Sequence, residues 1–238
     1  MIKASVVVPC FNEKDNLTEL IGGFQQALKN RQDIKIIVVD NGSTDGSSQF
    51  LNSLILGDRR FHTIRIEHNQ GYGHGILTGL NACQSEILGW THGDLQTPPA
   101  DVLQAIDILL QNQKTLLVRG ARKQRPWFEK FFSLGMSFAT LLRTGFWISE
   151  INAQPKIFPR ELFDQVMGRS RAPFDFSFDL FFVFQVRCLG FSEKFISVDF
   201  LPRINGEAKG SGGSLKAKMK IIRRTIPYIW RLRKGKGK

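Results

Sequence analysis

Residues 36–45 read Ile-Ile-Val-Val-Asp-Asn-Gly-Ser-Thr-Asp, and this stretch is the most informative part of the chain about its fold. Four β-branched apolar residues in a row are typical of a strand that is buried on both faces of a sheet. The run ends in a carboxylate, an amide and a glycine at Asp40, Asn41 and Gly42. Ligands of α/β proteins bind at the carboxyl ends of the strands. The stretch therefore predicts a buried strand that ends at a binding site.

A second apolar run, Ser-Val-Val-Val-Pro at residues 5–9, opens the chain. Asn12, Asp15 or Asn16 is expected to cap a helix that follows it, from about Leu17 to Asn30. The two apolar runs are about 30 residues apart, which is the length of one β-helix-β unit. We therefore expect an α/β fold with a mostly parallel, Rossmann-like sheet and helices on both faces.

Two more strand ends follow. Residues 63–66 predict a third strand before a glycine-rich turn, and residues 87–90 predict a fourth. His92, Asp94 and Gln96 come after the fourth strand, and in an extended segment they would project to the same side. A divalent ion bound there would bridge to a diphosphate. A polar turn closed by two prolines is the alternative interpretation.

Composition indicates an ordinary globular domain. The chain has 238 residues, of which 42% are hydrophobic, and this is enough for a substantial core. Cys10, Cys83 and Cys188 show neither metal-ligand nor redox spacing, so we expect packing residues in a reducing compartment. Residues 1–4 lead straight into a strand without room for a signal peptide, which favours a cytoplasmic location.

Positive charge is concentrated near the end of the sequence. The net charge is +12, and eleven Lys or Arg residues without any acid lie in residues 208–238. Because Trp, Tyr and Ile interleave with these cations, residues 213–238 predict a basic amphipathic helical tail that binds an anionic membrane surface. A solvated tail that aids solubility is the alternative. No nucleic-acid motif accompanies the charge, so no nucleic-acid partner is expected.

Residues 131–148 form a second apolar tract, in which Arg143 is the only charged residue. Its Ser, Thr and Gly residues make it a poor membrane span. It predicts a helix that lies in the membrane interface, with an ordinary buried helix as the alternative. The Phe-rich stretch from 174 to 191 is expected in the core.

Four motifs in this order resemble the inverting family-two glycosyltransferases of GT-A fold, and in particular the branch that acts on dolichyl or polyprenyl phosphate. They are Pro9-x-Phe11-Asn12-Glu13, Val39-Asp40-Asn41-Gly42-Ser43-Thr44-Asp45, Asn69-x-Gly71 and Asp94-Leu95-Gln96-x-Pro98-Pro99. The resemblance covers roughly residues 2–212, so residues 1–212 are expected to form a GT-A domain.

The resemblance implies a role for each matching residue. A nucleoside diphosphate sugar would contact Pro9, Phe11, Asn12, Glu13, Asp40, Asn41, Asn69 and Gly71. A divalent cation on the diphosphate, Mn²⁺ or Mg²⁺, would be held by Asp94 with Gln96 and His92. The family commonly has Asp where this chain has His92, and imidazole suits Mn²⁺ better than Mg²⁺.

Further matches imply how phosphates are bound. Arg119 and Arg122 are expected to meet phosphate oxygens, and Gln154 and Lys156 stand where relatives read Ser-Gly-Phe-Arg-Leu-Phe and would contact the acceptor. In a later motif Arg203 and Lys209 would clamp the two phosphates of the donor, so the expected catalytic residues are Asp94, Arg119, Arg203 and Lys209.

The resemblance implies a metal-dependent hexosyltransferase of cell-envelope glycan biosynthesis, which transfers a sugar from a UDP- or GDP-sugar to a polyprenyl phosphate at the cytoplasmic face of the membrane. A sugar hydroxyl is the alternative acceptor, with Asp175 or Asp179, expected one helical turn apart, as its base. A catalytically silent, membrane-bound scaffold is another alternative. Relatives often carry transmembrane helices after this domain, so either docking through the tail or a membrane-protein partner is expected.

Overall fold

The computed structural model describes residues 1–111, 116–123, 127–199 and 225–232, with the backbone alone over 127–132. In chain order the elements are β1 (Ala4–Cys10), α1 (Lys14–Ala27), β2 (Ile34–Asn41), α2 (Ser47–Leu54), β3 (Phe61–Ile66), α3 (Tyr72–Ala82), β4 (Ile87–Trp90), α4 (Pro99–Gln111), β5 (Leu116–Arg122), α5 (Trp127–Thr144), β6 (Lys156–Pro159), α6 (Arg160–Arg169), α7 (Phe178–Leu189) and β7 (Ser192–Val198). Residues 225–231 form one more helix, called here the C-terminal helix.

The strands form one seven-stranded sheet in the order β3-β2-β1-β4-β6-β5-β7. The pairs β1-β2, β1-β4, β2-β3 and β5-β7 are parallel, whereas β6 runs antiparallel to both β4 and β5. The predicted mostly parallel sheet is confirmed. Since β1 lies between β2 and β4, the predicted donor and metal segments emerge at the same edge of the sheet.

Both faces of the sheet are covered, as the uninterrupted apolar runs predicted. Val6 and Val8 of β1 pack with α1, α2 and α4 on one face, and Val7 packs with α3, α6 and α7 on the other. Successive side chains of a strand point to opposite faces, so a strand covered on both sides must be apolar at every position. The Phe-rich α7 lies in the core as predicted, with Phe178 and Phe182 packed around Trp90 of β4.

The predicted start of α1 is wrong by three residues. The helix begins at Lys14 with Glu13 in the N-cap position, and no side chain caps it there. Asn12 does not serve as the cap because its Oδ1 accepts a hydrogen bond from Thr44 N at 2.8 Å, across to the loop after β2. A contact distant in sequence has replaced the local one.

Helix α5 buries polar side chains and exposes apolar ones, which is the opposite of an ordinary surface helix. Ser137, Thr140 and Thr144 are buried, and their hydroxyls donate to backbone carbonyl oxygens, which removes the cost of burying them. Four of its large apolar side chains, together with one on the loop after it and two on the C-terminal helix, are instead exposed: Leu134, Phe138, Leu141, Leu142, Trp147, Ile226 and Trp230. These seven residues are called the apolar face below.

The C-terminal helix packs onto the domain. Ile229 and Leu232 are buried in the core on the α7 side of the sheet, and Arg143 Nε of α5 donates to Trp230 O at 3.0 Å. The described part of the predicted tail is therefore an integral part of the packed structure, and the other residues of 213–238 lie outside the described residues. Across the described ranges, no helix combines the length and apolarity needed to cross a membrane.

Candidate functional site

The carboxyl ends of β1 and β2 are joined by a hydrogen-bond network that includes two residues predicted to contact the nucleotide sugar, Asn12 and Asp40. Asp40 Oδ1 accepts from Ser43 N at 2.9 Å, and Ser43 Oγ accepts from Asn12 N at 2.9 Å. Asn12 has a positive φ of 51°, a conformation that Asn tolerates better than most residues. The network holds together the two loops that the family resemblance predicts to bind the nucleotide.

One carboxylate oxygen of Asp40 is left as an unused hydrogen-bond acceptor at this end of the sheet. Its carboxylate is 2% exposed, and Oδ2 has no hydrogen-bond partner within the described residues, although Arg65 lies 3.7 Å away. Buried acceptors normally carry a partner, so this oxygen is available to a hydrogen-bond donor from a ligand. Pro9 and Phe11 are half-buried nearby. Glu13 is buried and its Oε2 accepts from Asn16 Nδ2 at 2.6 Å, so part of its bonding capacity is used within the protein.

The glycine turn before α3 is held against β2 and against the segment before α7. Asn41 Nδ2 donates to Gly71 O, and Asn69 Oδ1 accepts from Gly71 N, both at 2.9 Å. Gly71 has φ of 116°, and a Cβ there would overlap the carbonyl oxygen of Phe174. Gly42, with φ of 80°, approaches the turn so closely that its Cβ would lie 2.7 Å from Asn69 N. Only glycine fits at these two positions, so Asn41, Asn69 and Gly71 come together as predicted.

The loop after β4 brings Asp94 to the same edge, but not in the conformation expected. Leu95 has a φ of 62°, so the segment bends and the predicted alternation of His92, Asp94 and Gln96 along an extended chain is wrong. His92 and Asp94 are half-buried, whereas Gln96 is buried and its backbone N donates to Asp94 Oδ1 at 3.2 Å. The loop is close to β1, because a Cβ on Gly93 would lie 2.8 Å from Cys10 Sγ.

These residues fit a cation that also binds the substrate. The described part of the chain contains no group of three His, Cys, Asp or Glu side chains able to hold a metal ion. A cage made by the protein alone is therefore not present there. One carboxylate plus phosphate oxygens is the arrangement in which Mg²⁺ is commonly bound, and an imidazole ligand adds affinity for Mn²⁺. Asp94, with His92 beside it, suits such a shared site.

Behind this loop lies a buried polar cluster that no sequence pattern predicted. Asp179 Oδ1 accepts from Lys156 Nζ at 2.5 Å, from Gln154 Nε2 at 3.0 Å and from Trp90 Nε1 at 3.3 Å. The hydroxyl of Tyr72 accepts from Gln154 Nε2 at 3.3 Å, and its ring centroid lies 6.3 Å from that of His92. The cluster links the predicted acceptor segment to the metal loop.

Burial shifts the pKa values of this cluster. Desolvation lowers the pKa of Lys156 to about 8 despite the Asp179 carboxylate, which acts in the opposite direction. The pKa of Tyr72 is raised well above its usual value, first by burial and then by the charges of Asp179 and Asp94. Both Lys156 and Gln154 are almost inaccessible to solvent. Their predicted direct contact with the acceptor is corrected to a supporting position beneath the site.

The predicted phosphate-binding arginines of β5 are also engaged within the protein. Arg119 is fully buried, with Nε 2.6 Å from Glu193 Oε2 and NH1 donating to Ser149 O at 2.7 Å, and burial lowers its pKa. Arg122 Nε lies 3.0 Å from Glu150 Oε2. The expected phosphate contact of Arg119 is thus replaced by a buried ion pair. Arg203 and Lys209 lie outside the described residues.

The structure also distinguishes the two candidate bases. The predicted helical spacing is wrong, because α7 begins at Phe178 and Asp175 precedes it in a turn, where its Oδ1 accepts from Ser177 N at 2.9 Å. Asp179 is buried beneath the site and bonded to Lys156, while Asp175 is half-buried at the surface. Of the two, Asp175 is the one with access to a substrate.

The sheet order, with polar residues at the carboxyl ends of β1, β2 and β4, defines the class of protein as an α/β protein of GT-A-like fold. A family model for "Glycosyl transferase family 2" matches residues 5–167. The chain belongs to this family.

Solved structures show the same fold. Glucosyl-3-phosphoglycerate synthase from Mycobacterium tuberculosis, in complex with UDP, gives a TM-score of 0.73 at 17% identity, over 96% of this chain and 79% of that one. A mannosyltransferase from Pyrobaculum calidifontis, in complex with GDP-Man and Mn²⁺, gives a TM-score of 0.65 at 20% identity, over 93% and 60%.

Curated relatives include undecaprenyl-phosphate 4-deoxy-4-formamido-L-arabinose transferases. The one from Pseudomonas fluorescens (strain Pf0-1) is 28% identical over 174 residues, which is 71% of this chain and 51% of the relative. The one from Proteus mirabilis (strain HI4320) is 25% identical over 167 residues, 69% and 51%. The chain thus spans about half the length of the curated relatives it matches.

Proposed function

We propose that this protein is an inverting glycosyltransferase that moves a sugar from a nucleoside diphosphate sugar to a polyprenyl phosphate at the cytoplasmic face of a membrane, in the synthesis of cell-envelope glycans. The observation that carries the proposal is the convergence of the Asp40 network, the Gly71 turn and the Asp94 loop at one edge of a GT-A sheet. The relatives named for undecaprenyl phosphate support the acceptor class.

In this reaction the bond between the anomeric carbon and the diphosphate oxygen breaks, and a bond from that carbon to an acceptor phosphate oxygen forms on the opposite face. A divalent cation, when bound, neutralises charge on the leaving diphosphate. Asp94 and His92 would hold that ion, while Asp40 and Asn12 orient the nucleoside. Arg203 and Lys209 are proposed to contact the diphosphate, as the family resemblance implies.

A phosphate acceptor simplifies the task of the protein. Its oxygen is already anionic near neutral pH, so attack requires orientation of the two substrates rather than removal of a proton. The buried cluster around Asp179 contributes rigidity here, because it holds Gln154 and Tyr72 behind the metal loop. A sugar hydroxyl would need a base, and the accessible Asp175 keeps that second acceptor class open to test.

Contact with a membrane is proposed through the apolar face. Its side chains include Leu142 at 62% and Trp230 at 60% exposure, and Arg143 and Arg231 lie next to them in sequence. An apolar surface that carries Trp and is flanked by cations suits the boundary between headgroups and acyl chains of an anionic bilayer. The other basic residues of 213–238 would add to the attraction. A membrane-protein partner remains part of the proposal only as an additional anchor.

The test is a transfer assay with UDP- and GDP-sugars, Mn²⁺ or Mg²⁺, and a short-chain polyprenyl phosphate in detergent, which measures nucleotide release and glycolipid together. Asp94→Asn is expected to lower turnover by at least a hundredfold with an unchanged melting temperature, because the carboxylate is half-buried and its replacement is isosteric. Asp107→Asn, at an exposed ion pair on α4, is the matched control.

Each alternative has its own outcome in this assay. Nucleotide release that requires a sugar hydroxyl acceptor and is lost in Asp175→Asn would replace the phosphate acceptor by a hydroxyl. Failure of the wild type to bind any nucleotide sugar would indicate a silent scaffold. Full activity of Asp94→Asn would contradict the metal site.

A further inference from the structure

An open cleft of about 490 Å³ lies beside the Gly71 turn. Three separate parts of the chain form its walls: the turn before α3, the segment before α7, and the C-terminal helix. The polar and aromatic residues that line it are Gln70, Phe174, Asp175, Ser177, Tyr228 and Arg231. Of the predicted site residues only the candidate base Asp175 is among them, and Gln70 stands between Asn69 and Gly71 of the predicted nucleotide-sugar site.

The walls of the cleft are fixed relative to one another. His74 N donates to Phe174 O at 3.1 Å, which holds the segment before α7 against the glycine turn. Ile229 and Leu232 anchor the C-terminal helix in the core. The cleft is therefore a built feature next to the predicted donor residues, and its size is within the usual range of small-molecule sites.

The cleft contains one cation and one carboxylate. The Arg231 guanidinium is exposed, and it has no ion-pair partner within the described part of the chain. The pKa of Tyr228 is raised by burial and by the charge of Asp175, so its phenol stays protonated and can donate a hydrogen bond. This combination suits a ligand that carries an anion beside hydroxyl groups, which is how an acceptor phosphate and a donor sugar meet in the proposed reaction.

The same helix connects the cleft to the apolar face. Tyr228 and Arg231 line the cleft, whereas Ile226 and Trp230 are exposed on the apolar face. A phosphate held by Arg231 would thus lie next to a surface suited to an isoprenoid chain. We infer that the cleft binds the phosphate monoester head of a polyprenyl phosphate acceptor, with Arg231 and Tyr228 as its donors. This inference rests on the proposed function.

The experiment measures binding and turnover separately, with a water-soluble ten-carbon prenyl phosphate as the probe. In calorimetric titrations without nucleotide, Arg231→Ala is expected to weaken binding of the probe by about tenfold or more, because it removes a charge-assisted contact. Arg231→Lys should restore part of the loss. Arg59→Ala removes the same charge from an exposed position before β3 and should match the wild type.

Tyr228→Phe gives a second test, since it keeps the ring and removes only the hydroxyl. A several-fold loss of probe affinity is expected, with unchanged affinity for the nucleotide sugar. Wild-type probe affinity in both Arg231→Ala and Tyr228→Phe would overturn the inference. Inorganic phosphate should bind at least tenfold more weakly than the prenyl probe, and equal affinities would contradict a lipid acceptor at this cleft.

Failure of the inference and failure of the proposed function give different results. If the wild type transfers sugar to the prenyl phosphate and Arg231→Ala does so with an unchanged KM, the function stands and the cleft is not its acceptor site. If the probe binds through Arg231 without any transfer, the cleft stands and the proposed reaction fails. Absence of probe binding to the wild type would overturn both.

Discussion

Replacing Asp179 by Asn tests whether the buried cluster supports the site or contacts the acceptor. The substitution keeps the shape of the side chain and removes its charge, so the Lys156 ammonium is left at 0% exposure with neutral acceptors only, Ala153 O at 3.0 Å and the amide oxygen of the new side chain. Breaking a buried ion pair in this way typically costs about 3–5 kcal/mol. The variant can avoid the cost of an unpaired buried ammonium only if Lys156 loses its proton.

The free energy of that deprotonation sets an upper limit on the loss of stability. Deprotonating a lysine of ordinary pKa 10.5 at pH 7 costs about 5 kcal/mol. Part of this cost is already present in the wild type, because burial lowers the pKa of Lys156 to about 8. The shift from 10.5 to about 8 accounts for about 3 kcal/mol of this cost, so we expect Asp179→Asn to lower the free energy of unfolding by the remainder, about 1 to 2 kcal/mol, at pH 7.

Urea denaturation followed by circular dichroism measures the change, and Asp175→Asn is the control. The control alters the same chemical group in a half-buried turn and should change the free energy of unfolding by less than about 1 kcal/mol. A direct acceptor role for Lys156 makes the opposite prediction for Asp179→Asn, namely unchanged stability and a higher KM for the acceptor. A loss below about 1 kcal/mol would refute the structural role.

Three further predictions concern the pH dependence of this cluster, the glycine turn and the apolar face. The pKa of Lys156 is lower in the folded state, so between about pH 8 and 10.5 the unfolded chain binds more protons and stability rises with pH; this rise should be absent from urea denaturation of Lys156→Met. Gly71→Ala, which forces a Cβ against a carbonyl oxygen at positive φ, should cost at least 2 kcal/mol of thermal stability, whereas Gly22→Ala, with open space on α1, should cost nothing. Leu142→Glu should reduce sedimentation with anionic liposomes by about tenfold, and Leu56→Glu, at an 88% exposed leucine before β3, should leave it unchanged.

Local sequence rules were sufficient where structure depends on residues close in the chain. The apolar runs of β1 and β2 and the Phe-rich α7 are buried as predicted, because burial on both faces of a sheet demands apolar residues at successive positions. The same rules were wrong for the cap of α1 and for the extended segment after Trp90. Asn12 is held by the distant Thr44 N rather than used as a cap, and Leu95 has a positive φ that bends the segment, which the sequence pattern did not predict.

Sequence alone determined the fold class and the end of the sheet at which the residues predicted to bind the nucleotide sugar lie. Strand type, the order of the motifs and the positions of Asp40, Gly71 and Asp94 after strands all follow from short-range patterns, and parallel strands then bring their carboxyl ends to one edge. The identities of these residues were therefore enough to predict that they meet.

Only the tertiary structure decided which charged side chains are accessible at the surface. The sequence predicted that Lys156 contacts the acceptor and that Arg119 meets phosphate oxygens, yet each is buried against a carboxylate from a distant element, Asp179 or Glu193. Arg231 read as one cation of a basic tail, yet the C-terminal helix places it on a cleft beside Gln70. Burial and pairing depend on neighbours supplied by folding, so the charge of a side chain can be read from a sequence but its accessibility cannot.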